Sequence, residues 1–161
     1  MKTKLNLGSG EVKIEGYFNV DFIKSKGVDL VHDLNKLPLP FKEDTFEEIL
    51  VLNILEHVSN PWSLMCEIKR IGKPGCIVKI ITPHFSSGNV WADMQHKRGF
   101  SYFCFTSLNM IDKFEVIENI INFPRRTKWL KRFANKFPGL YEYNLAYIFG
   151  CSDLHIILEV K

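Results

Sequence analysis

Several features are scarce in this sequence, and each scarcity narrows what the chain can be. It has four cysteines, Cys66, Cys76, Cys104 and Cys151, with no paired spacing. They read as reduced thiols, and Cys76, inside an apolar run, as a buried one. No apolar stretch is long enough to span a bilayer, and Met1-Lys2-Thr3-Lys4 is not the start of a signal peptide, so a cytoplasmic protein is expected. Charge of one sign is also scarce: a formal net charge of +3 over 161 residues does not by itself argue for nucleic acid. There is no internal repeat and no low-complexity linker. What remains is ordinary globular composition, 46% hydrophobic and 24% charged, of a size for a single domain over residues 1–161.

Helix is scarce in the first third. Leu5-Asn6-Leu7, Tyr17 to Val20 and Val28 to His32 read as short strands, with Asp21 and Asp33 following the second and third. Only Glu11 to Gly16 separates Gly10 from the second strand, and Phe22 to Gly27 is as short. A parallel crossover needs roughly a dozen residues, so either these strands are not neighbours in order or two helices have shrunk to loops. We expect shrunken loops. Pro38 and Pro40 forbid a long helix in LNKLPLPF. Glu48 to Asn53 is a fourth strand. The clearest helix follows: Asn60 caps it, Pro61 suits its first turn, and Trp62, Met65, Ile68 and Ile71 share a face. Lys73-Pro74-Gly75 punctuates the chain before strand Cys76 to Ile81. A short helix near Ser107 to Asp112 and strands Phe114 to Ile121 and His155 to Val160 complete a mostly parallel α/β sheet, with connections on both faces.

The glycine turn Gly8-Ser9-Gly10 ends the first strand. In a doubly wound sheet, ligands sit beyond the carboxyl ends of the strands, where glycines let backbone N–H groups approach closely. An acid ending the second strand can accept from ribose hydroxyls, and one ending the third can reach an adenine amine. Asp21 and Asp33 hold those ranks, although both are also ordinary turn residues. The third glycine of the dinucleotide fingerprint is missing: Lys13 stands there. There is also no room for the helix N-terminus that a pyrophosphate needs. A nucleoside cofactor without phosphates fits better than NAD.

At this point LNLGSG, the acid of NVD, VHDLNKLPLPF, DTFEEILVLNILEHV, the KPG before a strand and the closing HIILEVK resemble a class I S-adenosylmethionine-dependent methyltransferase. The resemblance is to a compact bacterial and archaeal group related to methyltransferase type 11. It covers nearly the whole chain and implies a Rossmann-like, doubly wound seven-stranded sheet with shortened N-terminal helices. It implies a cofactor site of Leu7, Gly8, Ser9, Gly10, Asp21, Phe22, Asp33, Leu34 and Asn53. The methionine part would lie over Gly8-Ser9-Gly10, the ribose on Asp21, and the adenine between Phe22 and Asp33-Leu34. Asn53 would lie near the methionine amine or the transferred methyl.

For chemistry, a general base is needed only if the acceptor loses a proton. His57, in LEHV, and His84, in PHFSSGNVWADMQHKRGF, are the candidates; His57 also suits a structural role closing the loop before Asn60. His84, Asp93 and His96 are the right types for a metal, but their spacing matches no zinc signature, so no metal is expected. Phe85, Trp91, Phe100, Tyr102, Phe103 and Phe105 suit an apolar or ring-bearing acceptor or the core. Residues 124–150 form a basic aromatic insertion before the last strand. Arg125, Arg126, Lys128, Lys131, Arg132 and Lys136 lie on a helix expected to end near Pro138-Gly139, with Trp129, Phe133 and Phe137 at helical spacing. It either packs on the sheet, closes over an anionic acceptor, or touches an anionic membrane; nucleic acid is not expected at this net charge. Its aromatic face, or a partner chain in a homodimer, is expected to cover the sheet left bare by the short early crossovers. The expected activity is methyl transfer from S-adenosylmethionine to a small or carrier-linked acceptor. The alternative is a non-catalytic methyltransferase-like binding module or partner subunit.

Overall fold

The structure is a computed structural model that describes residues 2–11 and 14–161. Lys13, which argues against a dinucleotide turn, lies outside the described residues. The strands are β1 (Lys4–Leu7), β2 (Tyr17–Asp21), β3 (Leu30–Val31), β4 (Phe46–Leu52), β5 (Gly72–Pro83), β6 (Phe114–Ile121) and β7 (Asp153–Val160). They form one seven-stranded sheet in the order β3-β2-β1-β4-β5-β7-β6. β1 to β5 run parallel, while β7 is antiparallel to both β5 and β6. The order reverses at β1, where one crossover leads to β2 and the next, after β3, returns to β4 on the other side. That is the switch point where ligands bind in such sheets.

The described residues of the early crossovers form turns and no helix, as expected, and β1, β2 and β3 are neighbours in order. Alternation divides the sheet faces sharply. Leu5, Leu7, Val20, Ile49, Val51, Val78, Ile80, Ile156 and Leu158 face one way and are buried. Lys4, Glu48 and Lys79 face the other way. Glu48 accepts from Lys4 at 2.7 Å and from Lys79 at 2.5 Å, so charge finishes this part of the face, while Asn6, Asn19 and Leu50 on the same side are buried. The opposing cations decide the state of Glu48: burial alone would raise its pKa, but hydrogen bonds from Lys4, Lys79 and Tyr17 outweigh it and hold the carboxyl down to about 2.

The apolar face over β1 and β2 is not covered by residues 124–149, contrary to expectation. The loop after β3 covers it. Leu34 and Leu39 are buried there, and Phe41 packs edge-on against Phe18 (5.7 Å) and Phe46 (5.1 Å). Helix α1 (Pro61–Ile71) holds this loop in place. Its Glu67 accepts from the Leu39 N–H at 2.8 Å, and its Arg70 donates to the carbonyls of Phe41 (2.8 Å) and Leu39 (3.1 Å). Glu67 and Arg70, one turn apart, also pair with each other at 2.7 Å. The loop that carries Pro38 and Pro40 is thus clamped where a helix would otherwise pack. α1 starts as its sequence predicts, with the Asn60 side chain accepting from the Ser63 N–H at 3.1 Å.

Beyond β5 lie α2 (Gly88–Ala92), a 3₁₀ turn (Tyr102–Phe105) and α3 (Leu108–Lys113). The basic segment is not one helix. It is a 3₁₀ stretch (Arg125–Leu130), then α4 (Lys131–Lys136), which ends just before Pro138 as expected, then α5 (Pro138–Asn144), which Pro138 opens. The 3₁₀ start rotates the register, so Leu130 and Ala134 face inward while Trp129 is 70% exposed. Asn135 holds the piece to the sheet edge, exchanging hydrogen bonds with the Ile121 N–H (2.8 Å) and carbonyl (2.9 Å). Among the described residues no helix is long and apolar enough to cross a membrane.

Candidate cofactor and acceptor site

The ends of β1, β2, β3 and β4 converge on a cavity of about 740 Å³. Its lining includes Gly8, Gly10, Asp21, Phe22, Asp33, Leu34, Asn53 and His57, so most of the expected cofactor residues come together. Two contribute differently. Leu7 is fully buried in the core and does not line the cavity. Ser9 does not line the cavity, but its Oγ is buried without a hydrogen-bond partner.

The turn is shaped by both glycines and by Asp21. The N–H groups of Gly8 (2.8 Å) and Ser9 (3.0 Å) both donate to the Val20 carbonyl, drawing the turn onto the end of β2. Gly8 has φ +71, and a Cβ there would lie 1.8 Å from Ile54 Cδ1. Gly10 has φ +56 with open space around it, so only its backbone needs glycine. The Asp21 carboxylate, 7% exposed, accepts from the N–H groups of Gly10 (2.8 Å) and Ile23 (2.9 Å). It therefore fixes the glycine turn against the β2 loop while keeping lone pairs for a hydroxyl-bearing ligand. Asp33 accepts from the Asn35 N–H and side-chain amide, which hold its carboxyl below the usual range. Asn53 closes β4 in the left-handed region, φ +55, and its N–H donates to Ile81 at 2.8 Å. Asparagine tolerates that conformation better than most residues.

Asn53 also lines a second cavity of about 370 Å³, with Glu56, Ile81, Pro83, Asn89, His96 and Asp153. Glu56 is 1% exposed. Burial pushes its carboxyl up, against an opposing bond from Thr82, whose hydroxyl donates to Oε2 at 2.9 Å; Oε1 has no partner. His57 and His96 stand edge-to-face with ring centres 4.6 Å apart. The two candidate bases therefore separate. His57 lines the larger cavity. His84 is fully buried: its Nε2 meets Glu142 Oε1 at 2.9 Å and its Nδ1 meets Ser86 Oγ at 2.9 Å. Glu142, on α5, also accepts from the Ser101 hydroxyl and the Tyr102 N–H, each at 2.6 Å. Burial opposes its charge, but these donors prevail and hold the carboxyl low. His84 therefore ties the basic segment to the end of β5.

His84, Asp93 and His96, the right residue types for a metal, do not come together among the described residues; Glu56, His57 and His96 do, with ligand atoms all within 4.8 Å of one another. The aromatics also divide. Phe100 and Phe105 are core, whereas Phe85 and Trp91 line a further cavity with Tyr147. Sequence reasoning missed His32, Asn35, Met94, Gln95 and Lys97 in the larger cavity. His32 and Asn35 flank Asp33-Leu34, which was a usable signal. The 94–97 loop had none, because a hydrogen bond from the Lys97 N–H to the Glu56 carbonyl (2.8 Å) brings it in from 41 residues away.

Residues 6–80, which span this site's glycine turn and acids, match the family described as Methyltransferase domain. The chain has the class I methyltransferase fold. An uncharacterized methyltransferase of Mycobacterium tuberculosis is 35% identical over 69 residues, covering 42% of this chain. That alignment spans only 25% of the relative's own length. A SAM-dependent methyltransferase from Archaeoglobus fulgidus superposes with a TM-score of 0.68 at 15% identity, over 97% of this chain and 85% of that one. Geranyl diphosphate C-methyltransferase from Streptomyces coelicolor A3(2) was solved with Mg²⁺, geranyl-S-thiolodiphosphate and S-adenosyl-L-homocysteine. It gives a TM-score of 0.68 at 14% identity, over 100% of this chain and 70% of that one. At such identities the structural likeness is one of fold.

Proposed function

We propose that this chain is an S-adenosylmethionine-dependent methyltransferase acting on a small or carrier-linked acceptor. The observation that carries the reading is the cavity of about 740 Å³ at the switch point, with Gly8, Gly10, Asp21 and Asp33 on its wall. The Asp21 carboxylate, on the cavity wall, fits a ligand that carries hydroxyl groups. S-Adenosylmethionine supplies a methyl group already activated by its sulfonium, so the protein's work is alignment and exclusion of water. In this reading Gly8-Ser9-Gly10 hold the methionine part, Asp21 the ribose, and Phe22, Asp33 and Leu34 the adenine. Asn53, shared by both cavities, stands between cofactor and acceptor, and the acceptor occupies the cavity of about 370 Å³.

Of the two expected bases, His57 lines the cavity assigned to the cofactor, and buried His84 holds the insertion in place. Any proton lost by the acceptor passes to water as the new bond to carbon forms and the bond from that carbon to sulfur breaks. Thermal unfolding tests the cofactor: S-adenosylhomocysteine should raise the melting temperature of the wild type and NADH should not. The opposite pattern would return the site to a dinucleotide enzyme.

A further inference from the structure

We propose that Glu56, His57 and His96 form a site for a divalent transition-metal ion on the acceptor side of Asn53. The three side chains offer one carboxylate oxygen and two imidazole nitrogens, all within 4.8 Å of one another. Tetrahedral coordination with bonds of about 2.1 Å sets ligand atoms about 3.4 Å apart, so modest side-chain rotations close the site. Two nitrogens with one carboxylate favour zinc, iron or cobalt over magnesium or calcium, which prefer oxygen.

Three independent features support a built site. Glu56 is buried, yet its Oε1 has no protein partner. A buried carboxylate oxygen without a donor is costly, and a cation satisfies it. The outer partners are also in place. Thr82 donates to Glu56 Oε2 at 2.9 Å, orienting the carboxylate with Oε1 free. His96 Nδ1 lies 3.0 Å from the Asn89 carbonyl. A carbonyl can only accept, so Nδ1 carries a proton; in the neutral ring Nε2, which lies 3.9 Å from Asp93 Oδ2, then keeps the lone pair a metal-ligating histidine needs. Finally, the Lys97 N–H to Glu56 carbonyl bond holds the two chain segments together at this point.

Three protein ligands leave one or more positions open toward the cavity of about 370 Å³. An acceptor bearing an oxygen or nitrogen donor, such as a hydroxyl, carboxylate or amine, takes such a position and is aligned for methyl transfer. This role for the ion rests on the methyltransferase reading; the binding of the ion does not. It also removes His57 as a base, because a lone pair given to a metal cannot take a proton.

The test uses tag-free, metal-stripped full chain titrated with Co²⁺, read by visible absorption, and with Zn²⁺, read by calorimetry. The expected result is one equivalent bound with a tetrahedral or five-coordinate cobalt spectrum. His96→Ala and Glu56→Gln should each weaken binding by about 100-fold or more, at least the loss seen when an outer partner is removed. His96→Ala should keep its S-adenosylhomocysteine affinity, which also shows that it is folded. No stoichiometric binding by the wild type, or binding unchanged in His96→Ala, overturns the site. Cofactor binding without metal would sink this site alone; metal binding without cofactor would sink the methyltransferase reading alone.

Discussion

Replacing Gly8 by alanine should do two separable kinds of damage. The backbone at φ +71 is left-handed, which costs an L-residue about 1–2 kcal/mol. The added Cβ also falls 1.8 Å from Ile54 Cδ1 and 2.3 Å from its Cγ1, so Ile54 must move. Overpacking of this kind costs about 1–3 kcal/mol. Gly8→Ala should therefore lose about 2–5 kcal/mol, as the sum of those two estimates. Gly10→Ala meets nothing within 4 Å and should lose only the backbone part, about 1–2 kcal/mol. Ile54→Ala removes both clashing atoms and leaves Cβ, 3.5 Å from the new methyl. The double variant Gly8→Ala/Ile54→Ala should thus be about 1–3 kcal/mol more stable than the sum of the single losses. Urea denaturation of the four variants and the wild type measures this directly. Ile54 also lines the larger cavity, so cofactor affinity should fall in Gly8→Ala and recover in part in the double variant. Additive stabilities, or equal losses for Gly8→Ala and Gly10→Ala, would refute the close approach of Gly8 to Ile54.

The charged sheet face makes a pH-dependent prediction. Glu48 has a folded pKa of about 2 against an ordinary 4.5, so its contribution is complete above the unfolded value and is lost as pH falls through the folded one. Glu48→Gln should cost about 1 kcal/mol at neutral pH, the scale of a solvent-screened ion pair, and the difference from wild type should shrink between the two values; a difference independent of pH would contradict the assignment. Glu142→Ala leaves His84, Ser101 and Tyr102 without their acceptor and should cost about 3–5 kcal/mol in denaturation, with faster proteolysis within 124–149. A loss near zero there would mean that the network does not anchor the insertion.

Local signals made most of the fold legible. Asn60 and Pro61 announced the start of α1, and apolar runs with flanking turns located all seven strands, although β3 proved shorter than VDLVH suggested. The cofactor cavity was legible because its residues end consecutive strands, and strand rank places them together. What escaped depends on contacts distant in sequence. The cover over β1 and β2 comes from Leu39 and Phe41, held by Glu67 and Arg70 from 28 to 31 residues away. The basic segment looked like one amphipathic helix because Trp129, Phe133 and Phe137 keep helical spacing; a 3₁₀ start turned Leu130 and Ala134 inward instead. His96 reaches Glu56 through a backbone bond from Lys97 and side-chain bonds from Lys97 and Arg98 to Ser59, which no spacing rule encodes.

The central claim is that the cavity holding Gly8, Gly10 and Asp21 binds S-adenosylmethionine. Asp21 fixes the turn through Gly10 and Ile23, and charge-assisted bonds of this kind contribute about 1.5–3 kcal/mol each. Titration calorimetry of S-adenosylhomocysteine tests this most directly. The account predicts one equivalent bound by the wild type with an affinity on the order of micromolar, weakened at least about tenfold in Asp21→Ala. A wild-type protein that is folded yet takes up no S-adenosylhomocysteine would contradict it.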